Sequence, residues 1–429
     1  IPLIEYHRNL STGFIIEPFL FYNEKSIISH KGATLVRRKL RYLNYRILIP
    51  YLILVVVGII LVYSASSDIL LVNGFKPDVY GIRQAIYAAV AFCGFGIPFF
   101  ALRLKVIKNP KFVAVFLIIC ILMLLWLVFL RFAHGSAAAV NGAVGWINLG
   151  FINLQPLEVT KLALVIYLAY VLDRRDGKLV RGKIKDNLSH PAILAGFLMC
   201  LVIVEPDFGG TAILFMITLV MFSVSGVPVR LALTWLLGII LLVGAVFILV
   251  VLWNPKFLQD SYQFQRLMSF LHPFQLERKG GAQLVNSYYA IHNGGLFGVG
   301  LGNSMQKRGY LPEPYTDFIL SITAEEIGII FTIVLVGLLF YLMWQIMEVG
   351  INAISQFDAL ICFGVTTIIF TEALFNIGAV LGLLPITGVT LPFISYGGSS
   401  MIVLTAAIGL VLNVSANEKM LKEKDETIA

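Results

Sequence analysis

Apolar residues run in long, nearly unbroken blocks along this chain, and polar residues gather in short stretches between them. Ten blocks stand out, at about 47–67, 81–102, 112–131, 156–172, 191–205, 208–226, 231–252, 316–344, 358–383 and 389–414. Most approach the roughly 20 residues that an α-helix needs to cross the hydrocarbon of a bilayer. The blocks at 156–172 and 191–205 are shorter, and their ends are less sharply marked. The pattern predicts an all-α polytopic membrane protein with about ten transmembrane helices. A further run at 13–22 is interrupted by Glu17 and is too short to span. It also lacks the layout of a cleaved signal peptide, so residues 1–45 are expected to form a cytoplasmic tail.

Composition agrees with the pattern. Of 429 residues, 59% are hydrophobic and only 13% are charged, against about 25% charged in soluble domains. A soluble enzyme, a disordered chain and a secreted disulfide scaffold are thereby excluded. Cys93, Cys120, Cys200 and Cys362 all lie in apolar stretches, which indicates neither disulfides nor a CxxC metal site.

The net charge of +8 gains meaning when it is placed by side. Arg37, Arg38, Lys39, Arg41 and Arg46 precede the first block. Arg103, Lys105, Lys108 and Lys111 follow the second, and Arg174, Arg175, Lys178, Arg181, Lys183 and Lys185 follow the fourth. Lys419, Lys422 and Lys424 close the chain. With ten spans these groups share one side, the cytoplasm by the positive-inside rule. Both termini then lie inside, residues 46–414 form the membrane domain, 415–429 form a cytoplasmic tail, and 253–315 form one large extracellular loop. Connections of that length are usually functional. Within it Phe264, Leu267, Met268, Phe270 and Leu271 have near-helical spacing. That suits a helix on the outer interface or one packed on the bundle. The same loop carries Arg266, Arg278, Lys279, Lys307 and Arg308, a basic cluster on the side the rule disfavours. These are solvated charges, or they meet anionic headgroups or an anionic substrate.

Charges inside the blocks cost about 2.5–3.5 kcal/mol each at the bilayer centre and are therefore candidates for function. Arg83 lies in the second block. Glu158 and Lys161, three apart in the fourth, share a helix face, as a structural ion pair or as a cavity wall. Glu205 and Asp207 flank Pro206 at a break between two short spans. Glu325 and Glu326 are adjacent in the eighth block, and Glu372 and Asn376 are one turn apart in the ninth. Tyr310-Leu-Pro-Glu-Pro-Tyr-Thr-Asp317 leads into the eighth block. There Thr316 is placed to cap the helix and Asp317 to sit in its first turn, either as a stabilising helix-start residue or as an acid facing the outer membrane surface. The glycine-rich run at 293–304 lacks the P-loop lysine and the GxGxxG spacing, so it is not a phosphate loop. Pro385, Pro392, Gly382, Gly388, Gly397 and Gly398 interrupt residues 376–400, and unwound backbone there must line a cavity or pack deep in the bundle.

Several of these stretches carry a resemblance. NIGAVLGLLPITGVTLPFISYGGSS at 376–400, GLGNSMQK at 300–307 followed by YLPEPYTDF, QPLEVTK at 155–161 and EPDFGG at 205–210 resemble the signature blocks of the SEDS (FtsW/RodA) family. The likeness covers about residues 45–415, and GLGNSMQK resembles the division branch more than the elongation branch. It implies ten spans with both ends inside and a peptidoglycan glycosyltransferase that polymerises lipid II. The family's essential aspartate falls on Asp317. It would act as general base on the acceptor 4-hydroxyl, in one inverting displacement at an α-linked donor. Arg83, Lys161 and Lys307 are candidates to neutralise the pyrophosphate. Glu158, Asp207, Glu313, Glu325 and Ser395 are further candidates for substrate contact. A divalent cation, Mg or Mn, is a candidate cofactor, and none is demanded by a motif. Implied partners are lipid II, a cognate class B penicillin-binding protein, other division proteins and membrane lipids, with no nucleic acid. The implied place is the bacterial plasma membrane at the division septum. The alternatives are a lipid II flippase and an elongation-type polymerase. Two departures are visible. Pro314-Tyr315 stands where many members have Ala or Arg followed by His, and Glu205 where many have Gln.

Overall fold

A computed structural model describes residues 37–134, 145–148, 150, 153–175, 184–227, 229–253, 262–276 and 280–428. Residues 1–36, 176–183, Arg278 and Lys279, on which some of the readings above rest, lie outside the described residues. After a short helix over 37–41, α1 (Tyr45–Val72) starts where the Asn44 side chain accepts a hydrogen bond from the Arg46 N–H at 3.2 Å. α2 (Val79–Ala101) contains a π-helical stretch, Ala91–Gly96. α3 (Pro110–His134) follows. A two-residue hairpin, β1 (Ile147–Asn148) with β2 (Asn153–Leu154), leads to α4 (Pro156–Asp173). Pro156 lies in the opening turn of α4, where its missing N–H would have no helical partner anyway. Then come α5 (Ile184–Val204), α6 (Phe208–Val224) and α7 (Val229–Trp253).

The long connection predicted outside contains two helices, α8 (Tyr262–Leu271) and α9 (Ala282–Gly294). The block expected as one span at 316–344 is two helices, α10 (Ile319–Ile327) and α11 (Ile329–Ile351). Gly328, at φ 92° and ψ 167°, breaks them, a conformation a Cβ would resist. The groups freed at the break are taken by the glycine-rich run. The N–H groups of Val299 and Gly300 donate to the carbonyls of Glu325 and Glu326, both at 2.9 Å, and Ile329 N–H donates to the Gly295 carbonyl at 3.0 Å. α12 (Gln356–Val380) and α13 (Gly398–Ile428) complete the chain. The last block is thus helical only from Gly398 onward, because 389–397 is bound up in the contacts described below.

α4, α12 and α13 are the centre of the bundle. α4 is buried on nearly every side, as are α12 and the membrane part of α13. α1, α3 and α11 each turn an apolar face outward, with Ile53 and Val56, Ile118 and Leu122, and Ile333 and Val334 exposed. Such faces are stable only against lipid. Among the described residues, six helices are long and apolar enough to cross a membrane by length and composition, with shorter apolar helices at Leu188–Val204 and Phe208–Val224.

The connections gather at two opposite ends. At one, Lys108 Nζ donates to Ser355 Oγ at 2.8 Å, Phe357 N–H to Asp173 Oδ1 at 3.1 Å, and Ile354 N–H to Glu418 Oε2 at 3.0 Å. At the other, Gln155 N–H donates to Ser399 Oγ at 3.0 Å, and Asn376 and Arg266 reach the 386–389 segment.

Candidate active site

Asp317 is 7% exposed and lies in the turn before α10, not within its first helical turn. The helix starts at Ile319 with Phe318 in the capping position, and the expected Thr316 cap is not made. The Thr316 hydroxyl is committed locally instead. It lies 3.0 Å from both Glu313 Oε2 and Asp317 Oδ1 and has one proton for the two carboxylates. Glu313, between Pro312 and Pro314, has φ 54°. Phe393, in the α12–α13 connection, has φ 65°. Non-glycine residues at positive φ cost of order 1–3 kcal/mol and persist only where their surroundings hold them.

Those surroundings are explicit. Three successive carbonyls of the Asp317 segment are taken by donors from α12 and the connection after it. Tyr396 N–H donates to the Tyr315 carbonyl at 2.9 Å. Ser395 Oγ donates to the Thr316 carbonyl at 2.6 Å. Asn376 Nδ2 donates to the Asp317 carbonyl and to the Val389 carbonyl, each at 2.8 Å. The backbone of Asp317 is therefore clamped between two segments about 60 or more residues away in sequence, while its carboxylate is left to face Thr316.

Burial raises the Asp317 carboxyl to about 6. The positive charge of Arg266 and the Thr316 hydroxyl oppose that rise, and Glu313 adds to it. Arg266 projects from α8, where its Nη1 donates to the Ile386 carbonyl at 3.2 Å. Gly388, at φ 76°, lies against this guanidinium, with its Cβ position in ordinary contact distance, 3.5 Å from Nη1. The charge of Arg266 also acts on Asp207, so it lies between two carboxylates. It is the main site residue that was not singled out from sequence. Its only signal was its place in the basic cluster of the outer loop.

A wall of aromatic rings adjoins Asp317. Tyr80 stacks on Tyr396 with centroids 4.9 Å apart, and Tyr315 lies 4.9 Å from Tyr80 and edge-on to Tyr396 at 5.9 Å. Arg83 is exposed, with its guanidinium 6.0 Å from the Tyr80 ring centre. Gln84 Nε2 donates to the Ser395 carbonyl at 3.0 Å and ties α2 to this wall.

The other sequence candidates fall into two buried networks. Lys161 bonds Glu158 at 2.8 Å, as its spacing predicts, and also pairs with Glu372 across the α4–α12 interface. Asp207 caps α6 through Gly210 N–H at 2.7 Å and acts electrostatically with Glu158 and Lys161. Lys307 is 0% exposed. Its ammonium is held by Glu326 at 2.8 Å and by the Ser64 carbonyl at 3.1 Å. Glu325 accepts from Ser304 Oγ and from the N–H groups of Met305 and Gln306, the latter two at 3.1 and 3.3 Å. The structure therefore places Lys307 and Glu325 as anchors of the 299–307 run on α10. Among the described residues, no group of three or more His, Cys, Asp or Glu side chains is arranged to hold a metal.

With this geometry in view, the chain matches the family described as "Cell cycle protein", FtsW/RodA/SpoVE, over residues 45–420. It is 37% identical over 403 residues to a protein of Lactococcus lactis subsp. lactis (strain IL1403) named probable peptidoglycan glycosyltransferase FtsW, covering 89% of this chain and 94% of that one. The relatives of the same name in Enterococcus hirae and Bacillus subtilis (strain 168) are 37% and 33% identical, with 91% and 92% of this chain covered and 96% of each of theirs. Among solved structures, a chain from a study of structural coordination of polymerization and crosslinking by a peptidoglycan synthase complex aligns with TM-score 0.70 at 25% identity, covering 88% of this chain and 98% of that one. The rod shape determining protein RodA of Thermus thermophilus aligns with TM-score 0.60 at 24% identity over 88% of this chain and 97% of that one, a likeness of fold.

Proposed function

This chain belongs to the FtsW/RodA/SpoVE family, and from that premise we propose that it polymerises lipid II into glycan strands with Asp317 as the general base. It is a peptidoglycan glycosyltransferase and a multi-pass membrane protein. The observation that carries the assignment of Asp317 is the clamp on three successive carbonyls. It fixes the backbone of a buried carboxylate and holds that carboxylate against the Thr316 hydroxyl, within the field of Arg266.

The chemistry follows from the substrate. The acceptor is the 4-hydroxyl of one sugar, and the donor is a sugar on a lipid pyrophosphate. Asp317 takes the hydroxyl proton as the oxygen attacks the anomeric carbon. The bond to pyrophosphate breaks with inversion. A single displacement needs no enzyme nucleophile, hence no second carboxylate of the glycosidase kind. The leaving group is already good, so its charge matters more than its protonation. Arg266, whose charge acts on Asp317, and Arg83, beside the tyrosine wall, suit that task. Lys161 and Lys307 are each committed to buried carboxylates and suit it less. The rings of Tyr80, Tyr315 and Tyr396 offer apolar faces for the sugar. The second reading, a lipid II flippase, draws less support for the same reason: its buried cations are already paired. A class B penicillin-binding protein is the proposed partner and the division septum the proposed place.

Asp317→Asn is nearly isosteric and tests the role. Strand formation from lipid II by the purified protein should fall by about 10²–10⁴-fold, with the thermal melt unchanged. A variant that polymerises at the rate of the unaltered protein would remove Asp317 from the chemistry.

A further inference from the structure

At the end of the bundle opposite Asp317 lies a crevice that glycan polymerisation does not use. Its volume is about 290 Å³, and its walls come from α1, α2 and α13, with Leu43, Tyr51, Phe92, Phe100, Thr405 and Leu412 among the lining residues. Among the described lining residues, only Tyr51 and Thr405 bring side-chain polar atoms, and their hydroxyls bond each other at 2.9 Å. Everything offered to an occupant is therefore hydrocarbon or aromatic ring. At the floor, Gly409 of α13 abuts the Gly96 backbone, where a Cβ would collide with the Gly96 carbonyl oxygen. The π-helical stretch that ends at Gly96 widens α2 above that contact. Leu40 and Ile97, at the lip, are exposed, so the crevice opens toward the surface that faces lipid.

The mouth is basic, and it is held in place. The helix over 37–41 lies across it through one inward lysine. Lys39 is 1% exposed, and its Nζ donates to the Phe100 carbonyl at 3.2 Å, the Leu102 carbonyl at 2.8 Å and Asn413 Oδ1 at 2.6 Å. With Lys39 turned in, Arg37, Arg38 and Arg41 are turned out and exposed. Among the described residues none of the three enters an ion pair. Water or a soluble anion would satisfy the arginines but not the crevice, and an uncharged alkyl chain would do the reverse. A molecule with both parts satisfies both.

We propose that this crevice binds an anionic phospholipid, with one acyl chain between α1, α2 and α13 and the phosphate among Arg37, Arg38 and Arg41. The site is independent of the polymerase reading.

The test is native mass spectrometry of the full chain released from nanodiscs of equal phosphatidylglycerol and phosphatidylethanolamine. The unaltered protein should retain phosphatidylglycerol preferentially. Replacing Arg37, Arg38 and Arg41 together by Gln should weaken that retention by about fivefold for each charge removed. The Lys replacements at the same positions should largely keep it. Leu40→Trp fills the mouth and leaves every charge in place, and it should also abolish the preference. Equal retention of the two lipids by the unaltered protein overturns the proposal. So does a preference that Leu40→Trp leaves intact, since the arginines would then attract headgroups without the crevice.

Discussion

Asp317 shows how far a residue's environment can reach beyond its motif. Its carboxyl is raised to about 6, first by burial, with Arg266 pulling it back toward the ionised form. In the proposed role of general base it works only when deprotonated. Polymerisation should therefore be flat above about pH 7 and should fall tenfold per unit below about pH 6. The check is kcat/KM for lipid II across pH, beside a melt at each pH to exclude unfolding. Arg266→Gln removes the cation that favours the carboxylate, so the same limb should move to higher pH. The family signature made Asp317 legible before the fold was known. What surrounds it was not legible. Lys307 read as a free cation on an outer loop because nothing in its neighbourhood in sequence announces Ser64, 243 positions away, as its hydrogen-bond partner. Arg266 read as one member of a cluster, because the approach of Gly388 that singles it out is made only by the tertiary fold.

At the scale of elements, glycine decides where the site can be built. Gly294, at the end of α9, lies so close to α10 that a Cβ would run into the Ala324 carbonyl oxygen. Gly294→Ala should therefore cost about 1–3 kcal/mol by overpacking and lower the melting temperature. Gly337, inside α11, has nothing within 4 Å of a Cβ, so Gly337→Ala should be neutral or gain up to about 1 kcal/mol. Thermal melts of both in the same detergent separate a packing glycine from an idle one. The α9–α10 contact also explains why the eighth block was read as one helix. Hydropathy runs on through Gly328, and the break depends on hydrogen bonds from residues about 30 positions earlier. The Glu158–Lys161 pair followed from helical spacing, but its third member, Glu372, arrives from α12. Lys161→Met should strand two buried carboxylates and cost about 3–5 kcal/mol. Lys161→Met with Glu372→Gln should cost less than the sum of the singles. Additive melts in that double-mutant cycle would mean that the two side chains do not interact.

For the molecule as a whole, apolar blocks and basic flanks were enough to draw the bundle, because a bilayer leaves a chain few ways to satisfy its backbone. The same reasoning sets which end faces which compartment. α10 is only nine residues long, too short to cross, so splitting the eighth block leaves the expected parity of spans unchanged. The segments at 103–109, 173, 352–358 and 418 meet at the basic end, and those at 153–156, 266, 315–317 and 386–397 meet at the other. If the basic end is cytoplasmic, the proposed base Asp317 faces the outside of the cell, where glycan strands are laid down. Phe297, 82% exposed, and Lys105, also exposed, mark the two ends. With the four native cysteines replaced, Phe297→Cys should react with a membrane-impermeant maleimide on intact cells. Lys105→Cys should react only after permeabilisation. Cys93 and Cys200 are exposed and will tolerate replacement, whereas Cys120 and Cys362 are buried and call for alanine, the smaller apolar choice. The reverse labelling pattern would put Asp317 on the cytoplasmic side, and the acceptor would then have to be found there. Labelling of both positions on intact cells would show leaky membranes, and the permeability control must exclude it first.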